Sequence, residues 1–189
     1  CPKNLVSMWE EHLHLYQVHG KVVSYSMAAK ELPNMEKYRF VIIDESHTMR
    51  NDERKDYKAL HIYVREYDSK LLLLTATPYN VGFSDVANQL KLWIDSDTDL
   101  GLQPIAAMAK DSTLADKVDG KVSTIGAFLR SEEPEDWQRL MSEHMVRRTR
   151  SFIKNVARDE TSSKTYPDIA VLNNLEIGNE LNFKILFFN

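Results

Sequence analysis

The chain has 189 residues, 43% of them hydrophobic and 28% charged, with a formal net charge of -4. That mixture is ordinary for one globular domain with a buried core, or for one with an appendage. The negative balance weighs a little against a module that holds nucleic acid by bulk charge, so any such binding must use local basic patches. No apolar run approaches the roughly 18 residues of a membrane helix, and no signal-peptide pattern is present. A single cysteine, Cys1, excludes an intrachain disulfide framework and a zinc ribbon. An intracellular protein is expected.

Leu5, Met8, Trp9, Leu13 and Tyr16 recur at offsets of three and four, which predicts an amphipathic helix over Asn4 to Tyr16. Cys1-Pro2 reads as the end of a strand, Lys21 to Tyr25 as a short strand, and Met27 to Leu32 as one or two helical turns. Pro33-Asn34 ends them. Phe40 to Asp44 is a continuous apolar run ending in acids, the pattern of a strand buried on both faces of a parallel sheet. Tyr57, Leu60, Val64 and Tyr67 form one helical stripe, and Leu71 to Leu74 is a second buried run closed by Thr75-Ala76-Thr77-Pro78. Strand, helix, strand in this order predicts a right-handed crossover and a parallel pair. Ligands of such sheets collect beyond the carboxyl ends of the strands. Asp44-Glu45 and Thr75-Ala76-Thr77 both stand there. If the strands are neighbours, the two motifs face one crevice.

Val86 to Ile94 reads as helix, and Gly101 to Gly120 shows no firm period. Pro134 opens a predicted helix with Trp137, Leu140, Met141, His144 and Met145 on one face. Arg147, Arg148, Arg150, Lys154 and Arg158 form a basic segment. On a helix, Arg147, Arg150, Lys154 and Arg158 would share a face, for phosphates, for a second lobe or simply for solvent. Residues 160–170 read as loop, and Leu181, Phe183 and Ile185 alternate as in a strand.

Phosphoryl transfer needs charge neutralisation and a placed nucleophile more than covalent help. An Asp at a strand end can hold Mg²⁺ through one of its waters, since Mg²⁺ keeps most of its hydration shell. A Glu beside it can polarise the attacking water. Asp44 and Glu45 supply that pair, although surface acids after strands are common. The longer run Val41-Ile42-Ile43-Asp44-Glu45-Ser46-His47, with Thr75-Ala76-Thr77-Pro78 starting 28 residues after His47, resembles motifs II and III of superfamily-two helicases and translocases.

Arg50-Asn51 after His47 looks like the Swi/Snf-type ATPases and their bacterial relatives. Cys1-Pro2-Lys3-Asn4-Leu5-Val6, with Trp9 and Glu10, is similar to their motif Ia, and Val23-Ser24-Tyr25-Ser26 to motif Ib. Met145 to Arg150, with Tyr166-Pro167-Asp168, resembles their arginine-rich box and the proline element after lobe one.

The resemblance implies an α/β RecA-like P-loop NTPase lobe, a mainly parallel sheet flanked by helices, with a helical insertion or protrusion. It divides the chain into a partial lobe one at 1–81, a helical part with the basic segment at 82–158, and a linker or further region at 159–189. It implies ATP and Mg²⁺ as cofactors, with Asp44 holding the metal and Glu45 activating water. His47, Thr75 and Thr77 would couple hydrolysis to movement. Pro2, Lys3, Ser24, Tyr25, Arg147 and Arg148 would meet the backbone of double-stranded DNA, contacts that carry no base information. A second RecA-like lobe would be the other partner, and RNA is less expected than DNA.

Neither Gly-Lys pair, Gly20-Lys21 or Gly120-Lys121, completes the phosphate-cradling G-x-x-x-x-G-K-[ST] pattern. The sequence is therefore expected to be part of a longer motor, to bind ATP weakly alone and not to turn it over. Glu11-His12-Leu13-His14 lacks the histidine spacing of a zinc protease, and Gly82-Phe83-Ser84-Asp85 lacks the second glycine of a nucleophile elbow. The alternatives left open are a restriction-type or other helicase-branch motor, and an inactive lobe that serves as a DNA-binding scaffold.

Overall fold

The computed structural model describes residues 1–76, 82–148 and 185–188. Helix α1 spans Val6–Leu15 and α2 Tyr25–Glu31. Strand β1 (Phe40–Asp44), helix α3 (Lys55–Tyr67) and strand β2 (Lys70–Leu74) follow, then α4 (Ser84–Leu90). Three short helices, α5 (Ile105–Lys110), α6 (Leu114–Lys117) and α7 (Ile125–Phe128), lead to α8 (Pro134–His144). Strands β3 (Met145–Arg148) and β4 (Ile185–Phe188) complete the described elements.

The fold is α/β, with a parallel sheet in the order β1-β2-β4-β3. β1 and β2 pair over their whole length, from Phe40 opposite Lys70 to Asp44 opposite Leu74. The predicted parallel pair is therefore present, with α3 as the helix that connects its strands. The α3 stripe buries Tyr57, Leu60, Tyr63 and Val64. Asp68, with φ of 49°, ends the helix in the left-handed region, and the Ser69 N–H returns to the Val64 carbonyl at 3.0 Å. Ile43, Leu71 and Leu73, all nearly inaccessible, join the core with Val86 and Leu90 of α4.

The sequence pattern at β1 proved only half right. Phe40 and Ile42, which alternate with buried Ile43, are 53% and 41% exposed. Successive side chains point to opposite faces, so the face carrying Ile43 enters the core while the face carrying Phe40 and Ile42 is left open among the described residues. A cavity of about 390 Å³ opens beside it, walled in part by Trp9, Leu13, Val23, Tyr25, Phe40 and Asp44.

Three other local expectations changed. Residues 21–24 form no strand segment of the sheet, although the Cys1 nitrogen donates to the Val23 carbonyl at 3.1 Å and the Tyr25 N–H to the Cys1 carbonyl at 3.0 Å. Those two bonds follow the parallel-ladder pattern with Cys1 opposite Ser24. Arg147, expected on a helical face shared with Arg150, Lys154 and Arg158, lies with Arg148 in a strand, β3, since Met145–Arg148 pairs with Ile185–Phe188. Arg150, Lys154, Arg158, Tyr166 to Asp168, Leu181 and Phe183 lie outside the described residues.

α8 begins at Pro134, where a missing N–H costs nothing, and buries Trp137 and Leu140. Trp137 stacks on Phe83 at 5.2 Å between centroids and meets Phe128 edge-on at 6.0 Å. Buried Asp136 accepts from Ala106 N–H at 2.9 Å, Ala107 N–H at 3.0 Å and the Ser131 hydroxyl at 2.7 Å, fixing α5 to α8. No helix among the described residues is long and apolar enough to cross a membrane.

Candidate functional site

Asp44 closes β1, and the chain turns sharply after it. Glu45 adopts φ 53° and ψ 49°, a left-handed conformation that is uncommon for a side chain with a Cβ and costs about 1–2 kcal/mol. The turn is held from both sides. The Glu45 N–H donates to Asp44 Oδ1 at 3.0 Å, and the Thr48 N–H and hydroxyl both donate to the Glu45 carbonyl at 3.0 Å. A short 3-10 turn, Ser46–Arg50, follows.

That turn is anchored on α4. Fully buried Ser46 donates its hydroxyl to Gln89 Oε1 at 2.9 Å, and the Gln89 amide donates to the Asp85 carbonyl at 3.0 Å. Asn88 Nδ2 donates to the Arg50 carbonyl at 2.7 Å, and Tyr57 donates to the Asn88 carbonyl at 2.7 Å. Buried polar groups satisfied in this way specify one arrangement of the loop.

The anchored turn presents His47 toward β2. Its Nδ1 lies 3.2 Å from Glu45 Oε2 and 3.2 Å from the hydroxyl of buried Thr75. A proton on Nδ1 can serve both oxygens, and a neutral Nδ1 can accept from Thr75. The register of β1 on β2 explains the meeting: Asp44 pairs with Leu74, so Glu45 and Thr75 are the next residues beyond two adjacent strand ends. Glu45, His47 and Thr75 thus meet at the carboxyl edge of the sheet, while Asp44, the preceding residue, lines the cavity beside β1 with Trp9 and Tyr25. Thr77 lies outside the described residues.

Asp44 is also held by residues that no local spacing pointed to. Trp9 Nε1 on α1 donates to Oδ2 at 2.8 Å. The Tyr25 hydroxyl on α2 donates to the Asp44 main-chain carbonyl, and burial pushes that phenol well above its ordinary pKa. Each oxygen of the Asp44 carboxylate accepts one N–H and keeps capacity for a further donor. The half-buried carboxylate therefore fits a water of a Mg²⁺ shell, which requires few protein ligands. Among the described residues, no group of three or more His, Cys, Asp and Glu could hold a metal ion by itself.

The residues expected at nucleic acid divide in their placement. Cys1-Pro2-Lys3 and Ser24-Tyr25 are brought side by side by the two Cys1 backbone bonds. Lys3 is exposed, whereas Ser24 is buried with its hydroxyl 3.1 Å from that of Ser26. The Tyr25 hydroxyl is directed at Asp44. Arg147 and Arg148 belong to β3, at the opposite edge of the sheet from β1.

The chain is similar to an uncharacterized ATP-dependent helicase, YqhH, of Bacillus subtilis (strain 168), at 31% identity over 110 residues, 48% of this chain. It spans about a fifth of that relative's length, 19%. No family model and no solved structure matches it. The similarity reaches the level of a helicase relative and no further.

Proposed function

We propose that this chain is part of the first RecA-like lobe of a Swi/Snf-type motor that couples ATP hydrolysis to movement along double-stranded DNA. The observation that carries the reading is the meeting of Glu45, His47 and Thr75 beyond two paired parallel strands, with Asp44 closing the first of them. The helicase similarity supports ATP use in the same direction.

Bound Mg²⁺ and ATP would supply the reacting phosphate and offset its developing charge. Asp44 would hold the metal through one of its waters. Glu45 takes the proton of the attacking water, and His47 keeps the Glu45 carboxylate in place. Because His47 also touches Thr75, a change at the carboxylates reaches the loop after β2. Lys3, Thr77, Arg147 and Arg148 keep the roles the family resemblance implies for them, whereas Ser24 and Tyr25, with hydroxyls held at Ser26 and at the Asp44 carbonyl, would meet the DNA backbone only after a rearrangement.

The test uses the full-length protein. Hydrolysis of ATP is measured with and without linear duplex DNA, and movement is read by displacement of a third strand from a triplex. The reading predicts Mg²⁺-dependent hydrolysis stimulated by duplex, and third-strand displacement. Duplex binding with no hydrolysis favours the inactive scaffold instead.

A further inference from the structure

We propose that Trp9 is a positioning residue for the metal-holding carboxylate, setting the orientation of Asp44 from helix α1. The inference rests on the reading of Asp44 as the residue that holds Mg²⁺.

The geometry is specific. Trp9 Nε1 lies 2.8 Å from Asp44 Oδ2 across 35 residues of sequence, while the Glu45 N–H holds Oδ1 at 3.0 Å. With the Tyr25 hydroxyl on its carbonyl, Asp44 is fixed at three points. α1 contains no fully buried residue, so core packing does not by itself demand a tryptophan at this position.

The chemistry of the donor matters. An indole N–H donates one bond, accepts none and carries no charge. A lysine or arginine in its place would neutralise the carboxylate and repel an approaching cation. The indole orients the carboxylate and leaves its negative charge for the metal. Magnesium tolerates little departure from octahedral geometry, so a loose carboxylate rotamer weakens its hold.

The same bond ties the site to the segment at Cys1–Lys3, which leads directly into α1.

The experiment measures ATP hydrolysis by the full-length protein against Mg²⁺ concentration, for wild type and Trp9→Phe, which keeps an aromatic ring and removes the donor. The Mg²⁺ concentration for half-maximal rate should rise about 10-fold or more, as for other partners that orient metal ligands, with kcat recovered at saturating Mg²⁺. A lowered kcat with an unchanged Mg²⁺ midpoint would be a structural effect only and overturns the inference. Wild-type hydrolysis that needs no divalent cation overturns the reading of Asp44 itself.

A second measurement does not depend on the folding of Trp9→Phe. The ¹⁵N-indole resonance of Trp9 should shift when Asp44→Ala removes its acceptor, and an unmoved resonance also overturns the inference.

Discussion

His47 Nδ1 lies 3.2 Å from the Thr75 hydroxyl, and this contact joins the loop after β1 to the loop after β2. The two residues are 28 apart in sequence and meet because β1 and β2 are parallel neighbours in register. The imidazole stands between Thr75 and Glu45 Oε2, also 3.2 Å away. A parallel pair with a helical crossover thus converts two strand ends into one site.

Thr75→Val tests that contact. The side chain keeps its shape and loses the hydroxyl, at a buried position 4% exposed. A cost of about 1 kcal/mol in urea denaturation is expected for a lost internal hydrogen bond. In the full-length protein, ATP binding should be preserved while the stimulation of hydrolysis by duplex DNA falls. Retention of full stimulation would remove Thr75 from the coupling path.

Asp136→Ala should destabilise the part of the fold built on α8. The carboxylate serves two backbone N–H groups and one hydroxyl, and it is 1% exposed. Its removal leaves buried donors without an acceptor, at a cost of about 3 kcal/mol. Asp136→Asn, which retains an acceptor oxygen, should cost less. Equal losses for the two variants in chemical denaturation would argue that packing, not hydrogen bonding, sets the effect.

Asp56 predicts an acid-dependent component of stability. Burial pushes its carboxyl up, but the Arg54 fork and the Tyr57 N–H outweigh burial and hold it below the usual carboxylate range. The folded state therefore takes up this proton less readily than the unfolded chain. The stabilisation is present above about pH 4, near the unfolded value, and is lost as pH falls through the folded one. Arg54 is partly exposed, so solvent screening limits its size. Denaturation of wild type and Asp56→Asn should show a gap at pH 7 that narrows in acid. A gap of equal size at pH 3 would contradict this assignment.

Much of the fold around the site was legible because its elements are long and periodic. The aliphatic runs at 40–44 and 71–74 and the stripe from Tyr57 to Tyr67 are β1, β2 and α3. Their order implied the crossover that places Asp44 beside Leu74. Pro134 and Trp137 announced α8 in the same way. The helices α5, α6 and α7 were not legible, since 6, 4 and 4 residues are too few to display a period of 3.6.

The site itself was read only in part. Asp44, Glu45, His47 and Thr75 carry a local pattern, and the structure brings Glu45, His47 and Thr75 into contact. The Trp9 bond to Asp44 and the Ser46 bond to Gln89 span 35 and 43 residues. Contacts of that kind depend on how helices settle against strand ends, which no spacing encodes. Trp9 was visible as a member of the α1 stripe and of the segment similar to motif Ia, and neither reading pointed to Asp44. Phe40 and Ile42 were misread because an apolar run does not reveal whether another layer covers both faces of its strand.

The most direct measurement is made on Glu45→Gln in the full-length protein, with nucleotide binding and duplex-stimulated hydrolysis followed side by side. The substitution preserves size and the neighbouring His47 contact, and removes the group that accepts a proton from water. The account predicts that ATP binding stays within a few-fold of wild type while turnover falls by about 10²–10⁴-fold, the span of general-base catalysis. Unchanged turnover would contradict the central role given to the carboxylates at the end of β1.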